Sequence, residues 1–245
     1  MMQGIYTATA GMMAHDAIFE VITNNLANSA TPGFRQDFAT FTMTGDNPNL
    51  PRGAPQMPTL TFRAYTNFSP GHMKETANPF DLAFSDNGDN WFVIQTPRGL
   101  RFTRAGNFTL ARDGTLVTMD NHPVLGAGGA IRINGMDVHV NDVGDVIVDG
   151  KTVDRIRVVQ FDRINGRIPL EKEGYTLFRP ISARSTPRSV PVPHIRQGFL
   201  EYSNVHAIDE MAEMINILRG YEAYQRSVQV FDGSLNTLIH RVGGV

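Results

Sequence analysis

Near both ends of this chain apolar residues recur at alternating steps of three and four, a spacing that confines the termini to helices with one face to bury. At the C-terminal end the series Ala207, Met211, Met214, Leu218, Tyr221, Gln225, Val228, Asp232, Leu235 and Ile239 holds that spacing for more than four heptads. Ile217, Tyr224, Phe231 and Leu238 add a second column seven apart, so the apolar face is wider than a two-helix seam needs. More than one partner helix is implied. Ser203 or Asn204 is placed to cap a helix running over about 204–241, with Asp209 and Glu210 near the positive end of its dipole and Arg241 near the negative end. At 1.5 Å per residue it reaches roughly 55 Å, and Gly220 and Gly233 each weaken it by about 1 kcal/mol. At the other end, Ile5, Ala8, Met12, His15, Phe19, Ile22 and Leu26 predict a helix over 3–28, stopped by Pro32 and Gly33. The same spacing also fits an ordinary amphipathic core helix.

Between the helices the periodicity becomes that of strands. Asn87-Gly88, Asp113-Gly114, Asn134-Gly135, Asp149-Gly150 and Asn165-Gly166 punctuate short apolar runs at 91–94, 108–110, 116–118, 146–148 and 156–161. These dipeptides suit tight hairpin turns because they tolerate positive φ. The reading is an α+β chain in which a mainly antiparallel β middle domain joins a discontinuous coiled-coil stalk built from the N- and C-terminal helices. Its divisions are 1–34 with 200–245 for the helical part, 35–75 as an extended connection, and 76–199 as a β-rich outer domain. Pro-rich stretches at 48–58 and 180–193 read as extended links.

Patterns that carry chemistry are missing. With no Cys, disulfides, thiolate catalysis and Cys-ligated zinc are excluded. Five residues separate Gly144 from Gly150 before Lys151 and Thr152, where a phosphate-binding loop needs four, and an apolar strand run fills the gap. A hairpin turn is the better reading. Gly126, Gly128 and Gly129 lack the helix and acidic residue of a dinucleotide site. The seven His show no i, i+4 pair for a metal. Asp86-Asn87-Gly88-Asp89-Asn90 is rich in oxygen ligands, but Pro97 stands where a calcium loop needs its twelfth-position Glu, so it too reads as a turn. No catalytic, metal or cofactor site is expected, and nothing recommends an enzyme. The 22 Lys and Arg against 24 Asp and Glu leave no positive excess to draw nucleic acid. The first 30 residues lack a signal peptide's charged start, apolar run and cleavage site, and no window approaches 18 apolar residues. Direct membrane insertion is therefore not expected either.

The run Asn24-Asn25-Leu26-Ala27-Asn28-Ser29-Ala30-Thr31-Pro32-Gly33-Phe34 resembles the N-terminal signature of bacterial flagellar rod and hook proteins. Gln197-Gly198-Phe199-Leu200-Glu201-Tyr202-Ser203-Asn204-Val205, Glu210-Met211 and Arg219-Gly220-Tyr221-Glu222-Ala223-Tyr224-Gln225 are similar to the same family's C-terminal strand and helix. In the middle, Ser69-Pro70-Gly71, Thr76-Ala77-Asn78-Pro79-Phe80-Asp81-Leu82-Ala83 and Phe102-Thr103-Arg104-Ala105-Gly106-Asn107-Phe108 resemble its β domain. Gly4-Ile5-Tyr6-Thr7-Ala8 and the length of 245 residues look most like the proximal-rod members, with the distal-rod members next. Two departures stand out: Asp89-Asn90-Trp91-Phe92 replaces the family's usual Gly-Phe-Phe, and Asn121 stands at a common turn Gly. Asn tolerates left-handed φ, so the fold is unaffected.

The resemblance implies an axial subunit of the flagellar basal body. It would be exported unfolded by the flagellar type III apparatus without a cleaved signal, then assembled in the periplasm with copies of itself and other rod proteins. The assembly seam is then Ile5, Met12, Phe19 and Leu26 with Met211, Met214, Leu218, Tyr221, Val228 and Leu235. The signature turn comprises Asn24, Asn25, Asn28, Pro32, Gly33 and Phe34, its Asn amides capping or cross-linking the helix end. Arg104 and Arg219 suit bidentate contacts with neighbouring carboxylates, or stand as solvated surface arginines. A helix with so wide an apolar face leaves surface that a soluble monomer rarely exposes, and head-to-tail packing of such surfaces builds helical filaments. A different class also fits the residues: a β-rich binding module oligomerised by its terminal helices.

Overall fold

The heptad spacing at the two ends becomes two helices, α1 over Met2–Ala27 and α2 over Ala207–Val242. The computed structural model describes residues 2–44, 59–86, 88–164, 166–182 and 185–242, with side chains in the helices described from Thr7 and as far as Ser234. Both helices, with residues Asp37–Tyr65, belong to one compact unit; Asn28–Gln36 and Thr66–Val205 form a second, β-rich unit. Among the described residues the fold is α+β, with two helices and mostly antiparallel sheets. Among the described residues no helix is long and apolar enough to cross a membrane.

In the helical unit, Ala8 and Ile22 of α1 and Ile217 of α2 are buried. Two glycines permit the close approach. A Cβ on Gly11 would lie 2.7 Å from the Tyr224 ring, and one on Gly220 would lie 2.3 Å from His15 Cε1. The His15 and Tyr224 rings meet edge to face at 5.3 Å, and His15 Nδ1 lies 3.2 Å from the carbonyl oxygen of Ile217. Gly220 thus answers for its cost in helix propensity, whereas a Cβ on Gly233 would meet nothing within 4 Å among the described residues.

α2 starts three residues beyond the position the sequence suggested, because neither expected cap is available. The Ser203 hydroxyl accepts from the Val205 amide at 3.1 Å. Asn204 donates through Nδ2 to the carbonyls of Asn67 and Ser69 and accepts through Oδ1 from the Gln36 amide at 2.8 Å. The first bond of α2 runs instead from the Glu210 amide to the His206 carbonyl, which makes His206 the cap residue; Asp209 and Glu210 do occupy the first turn. The side chain of Arg241 lies outside the described residues.

Within 35–75, read from sequence as an extended connection, the strands Asp37–Thr44 and Thr59–Thr66 pair with each other in the helical unit. Their runs are dense in Thr and Phe, which suit a pleated surface, and the Phe41 and Phe62 rings meet at 5.4 Å. The Pro-rich stretch 48–58 lies outside the described residues. Further on, Met73–Glu75 pairs antiparallel with Phe199–Glu201.

The β-rich unit is centred on a six-stranded sheet in the order 170–173, 177–180, 99–103, 90–96, 158–160 and 188–189. Alternation along its central strands builds a core on each face. Phe92, Ile94 and Val158 pack in one cluster with Leu82, Phe108 and Val146, while Trp91, Val93, Phe102 and Val159 pack in another with Phe178. A three-stranded sheet of 138–140, 145–148 and 151–155 lies beside the first cluster's residues in sequence. Its tight turn is the expected one: Asp149 and Gly150, at φ 49° and 80°, join Val148 to Lys151. That disposes of the phosphate-loop alternative. The central hairpin is different, turning at Pro97 and Arg98 between Thr96 and Gly99, where no Asn-Gly signal exists.

Candidate assembly site

The signature turn divides between the two units, and its residues do different work. In the helical unit the Asn25 amide is buried and pairs twice with the backbone of Asp37: its Nδ2 donates to the Asp37 carbonyl at 2.8 Å, and its Oδ1 accepts the Asp37 amide at 3.0 Å. The same Nδ2 lies 3.4 Å from a carboxylate oxygen of the buried Glu210. Asn25 therefore ties the end of α1 both to the following strand and to the first turn of α2. Asn24 is exposed on α1.

In the β-rich unit, Asn28 accepts the Thr31 hydroxyl through its side chain and the Thr31 amide through its carbonyl. Pro32 stands half-buried in the turn. Gly33 has φ 71°, and a Cβ there would lie 2.2 Å from the Ala105 nitrogen. Only glycine fits so close an approach in that conformation. Its amide donates to the Glu201 carbonyl at 2.8 Å. Phe34 is fully buried, with the Lys172 ammonium 4.0 Å above its ring.

Beside this turn lies a buried charge network that sequence spacing did not reveal. Glu201 receives Arg35 Nη2 on Oε1 at 2.6 Å and Arg104 Nη2 on Oε2 at 2.6 Å. The Gly71 amide also donates to its Oε1, at 2.9 Å. Arg104 then grips Asp86 as a fork, Nη1 to Oδ2 at 3.1 Å and Nη2 to Oδ1 at 2.8 Å, and donates to the Asn90 carbonyl. Asp86 is thus the acceptor in a turn: its two oxygens also take the Gly88 and Asn90 amides. Arg104 makes the bidentate carboxylate contact weighed from the sequence. The exposed Arg219 on α2 is of the other kind.

Two carboxylates balance two guanidiniums here, which is what allows the charges to be buried. Burial pushes the Glu201 carboxyl up, but Arg104 and Arg35 outweigh it and hold the carboxyl below the usual range. At Asp86 burial is likewise outweighed, by its hydrogen bonds and charge pairing with Arg104. Burial lowers Arg35 despite Glu201, whereas at Arg104 it is overcome by Glu201 and Asp86, so that Arg104 ends raised.

The helical seam residues are less uniform. Met12, Phe19 and Leu26 on α1 and Met214, Tyr221 and Val228 on α2 are half-buried. Met211 and Leu218 are 47% and 44% exposed. The side chains of Ile5 and Leu235 lie outside the described residues. The row of α2 turned toward α1 is the second column, in which Ile217 and Tyr224 follow the buried Glu210 at seven-residue steps.

Residues 5–35 match the family of flagella basal body rod proteins, 87–148 match the D1 domain of the flagellar hook protein FlgE/F/G family, and 196–240 match the C-terminal region of flagellar basal body rod FlgEFG proteins. The flagellar basal-body rod protein FlgF of Rhizobium meliloti is 32% identical over all of this chain and 99% of its own. FlgG of Bacillus subtilis is 33% identical over 98% of this chain and 99% of its own. FlgF of Caulobacter vibrioides is 30% identical over 98% of each. The chain belongs to the flagellar basal-body rod protein family. It is a structural subunit of the rod, and not an enzyme.

Proposed function

We propose that this subunit stands in the proximal part of the rod, and that α1 and α2 form a discontinuous coiled-coil stalk through which it packs helically against copies of itself and other rod proteins to transmit motor torque. The observation that carries the stalk is the exposed apolar surface of α2, where Ile208, Met211, Ile215 and Leu218 are between 44% and 80% exposed. A single short partner helix leaves them uncovered, and neighbouring subunits would bury them at about 1.5 to 3 kcal/mol per side chain. The signature turn and the seam residues of both helices then serve assembly. The helical unit that holds α1, α2 and the strand pair after α1 would carry this packing, and the β-rich unit of Asn28–Gln36 and Thr66–Val205 would form the outer body.

Taking FlgF as the proximal-rod and FlgG as the distal-rod member of the family resembled, the economy of the alignments favours the proximal position. The match to FlgG of Bacillus subtilis runs over 270 positions, against 258 and 246 for the two FlgF proteins, so the FlgG match leaves more positions with no counterpart in a chain of 245. We further infer a periplasmic location, reached through the flagellar type III apparatus. Rods stalled before their distal section is built test the position. A proximal subunit is retained in them; its absence from stalled rods and presence in complete ones would assign it to the distal section.

A further inference from the structure

α1 carries a second apolar surface, turned away from α2. Ala10, Ala14 and Ala17 line a groove of about 690 Å³ that Phe41 and Phe62 of the paired strands wall on the other side, with Met13 at its edge 69% exposed. At 100° per residue this face of α1 is well over a quarter-turn from Ala8, Gly11, His15 and Ile22, which are spent on the helix pairing. Small side chains on one wall and two aromatic rings on the other make a slot that accepts a row of larger apolar side chains.

The same unit displays such a row. Ile208, Met211, Ile215 and Leu218 fall at steps of three, four and three, and all are exposed. They form one stripe on α2, about 150° around the helix from the row of Ile217 and Tyr224. The stripe is about 15 Å long, and the groove, lined along α1 from Ala10 to Asn24, is about 21 Å, long enough to take all of it. Beyond Leu218 the row turns polar, at Glu222 and Gln225, so the apolar stripe fits within the groove. Charge agrees with length. Glu20 and Asp37 line the C-terminal end of the groove, and the exposed Arg219 directly follows the last residue of the stripe.

We propose that the groove on α1 receives the α2 stripe of a second copy of this chain, in parallel orientation, with Arg219 of that copy set against Glu20 and Asp37. Groove and stripe are different surfaces of one unit, so the contact is heterologous: each copy that fills a groove offers its own to the next. Repeated without closure, such a contact extends as a helical row. The proposal rests on the rod reading and adds which surfaces meet.

The chain has no Cys, so introduced thiols report single contacts. Met13→Cys and Ile215→Cys copies, carrying different tags, are produced in the same cells, and purified basal bodies are treated with a short bismaleimide. The expected product is a dimer carrying both tags. Adding Arg219→Glu should lower its yield about three- to five-fold, as loss of an exposed ion pair allows, and Glu20→Arg should restore it. If the chain is present in the basal bodies but gives only Ile215→Cys homodimers, a product with a different protein, or no product, the docking is overturned and the rod reading stands. If the chain is missing from the basal bodies, both fall.

Discussion

Glu201 is the central acceptor of the buried charge network in the β-rich unit. It is 1% exposed and faces two buried guanidiniums. Glu201→Gln keeps the shape but leaves Arg35 and Arg104 with one carboxylate between them, and breaking a buried pair in this way costs about 3–5 kcal/mol. The chain's single Trp, Trp91, lies in the core of that unit, so its fluorescence in a urea titration reads the loss directly. The network also sets an acid limit. The Glu201 and Asp86 carboxyls are held below their usual values, so the native state binds protons more weakly than the unfolded chain. Their contribution is full above the unfolded carboxyl values of about 4 and is lost as pH falls through the lower native ones. Stability of the β-rich unit should therefore fall below about pH 4, and Glu201→Gln should flatten that fall. Of this network only the bidentate habit of Arg104 could be read in the sequence, because residues 35, 86, 104 and 201 are brought together only by the fold. Gly33 is the opposite case, legible from the Pro-Gly pair alone. Gly33→Val would place a Cβ against the Ala105 backbone in a conformation that strains a β-branched side chain by about 1–3 kcal/mol. On the proposed export of an unfolded chain, secretion into the medium should survive while recovery in basal bodies is lost; a variant that still incorporates fully would make the turn dispensable.

At the scale of elements, the spacing gave both helices within a few residues but not which column of α2 faces α1. Two columns of apolar residues are equivalent in a periodicity argument. What separates them is the pair of small residues, Gly11 opposite Tyr224 and Gly220 opposite His15, and that complementarity exists only once the helices are side by side. It makes a paired prediction. By propensity alone, Gly220→Ala and Gly233→Ala should each strengthen α2 by about 1 kcal/mol. At Gly220 the new methyl meets the His15 ring and displaces it from the Ile217 carbonyl, so the change should destabilise the helical unit. At Gly233 the Cβ meets nothing within 4 Å among the described residues, so the gain should be kept. Thermal melting followed by far-ultraviolet circular dichroism distinguishes the two, and equal stabilisation of both would mean that the His15 contact carries no weight. The strand pair Asp37–Thr44 with Thr59–Thr66 is unmarked in the sequence for a different reason. Its Thr- and Phe-rich runs have strand character, but the Asn-Gly and Asp-Gly turns that marked the other hairpins do not flank them.

At the scale of the whole molecule, the account requires that the exposed apolar residues of α2 belong to the assembly and not to the subunit's own stability. Leu218→Asp separates these roles. The residue is 44% exposed in the single chain, so the unfolding of the isolated protein should change little. In a rod the carboxylate would be buried unpaired, at a cost of more than about 2–3 kcal/mol per interface, and incorporation and swimming should fail. The most direct measurement of the central claim is electron microscopy of purified basal bodies at side-chain resolution. The account predicts this chain within the rod, its α1 and α2 packed as a coiled-coil layer and Ile215 and Leu218 buried against neighbouring subunits. Density that placed the chain in the rod with those residues facing solvent, or no density for it in the rod at all, would contradict it.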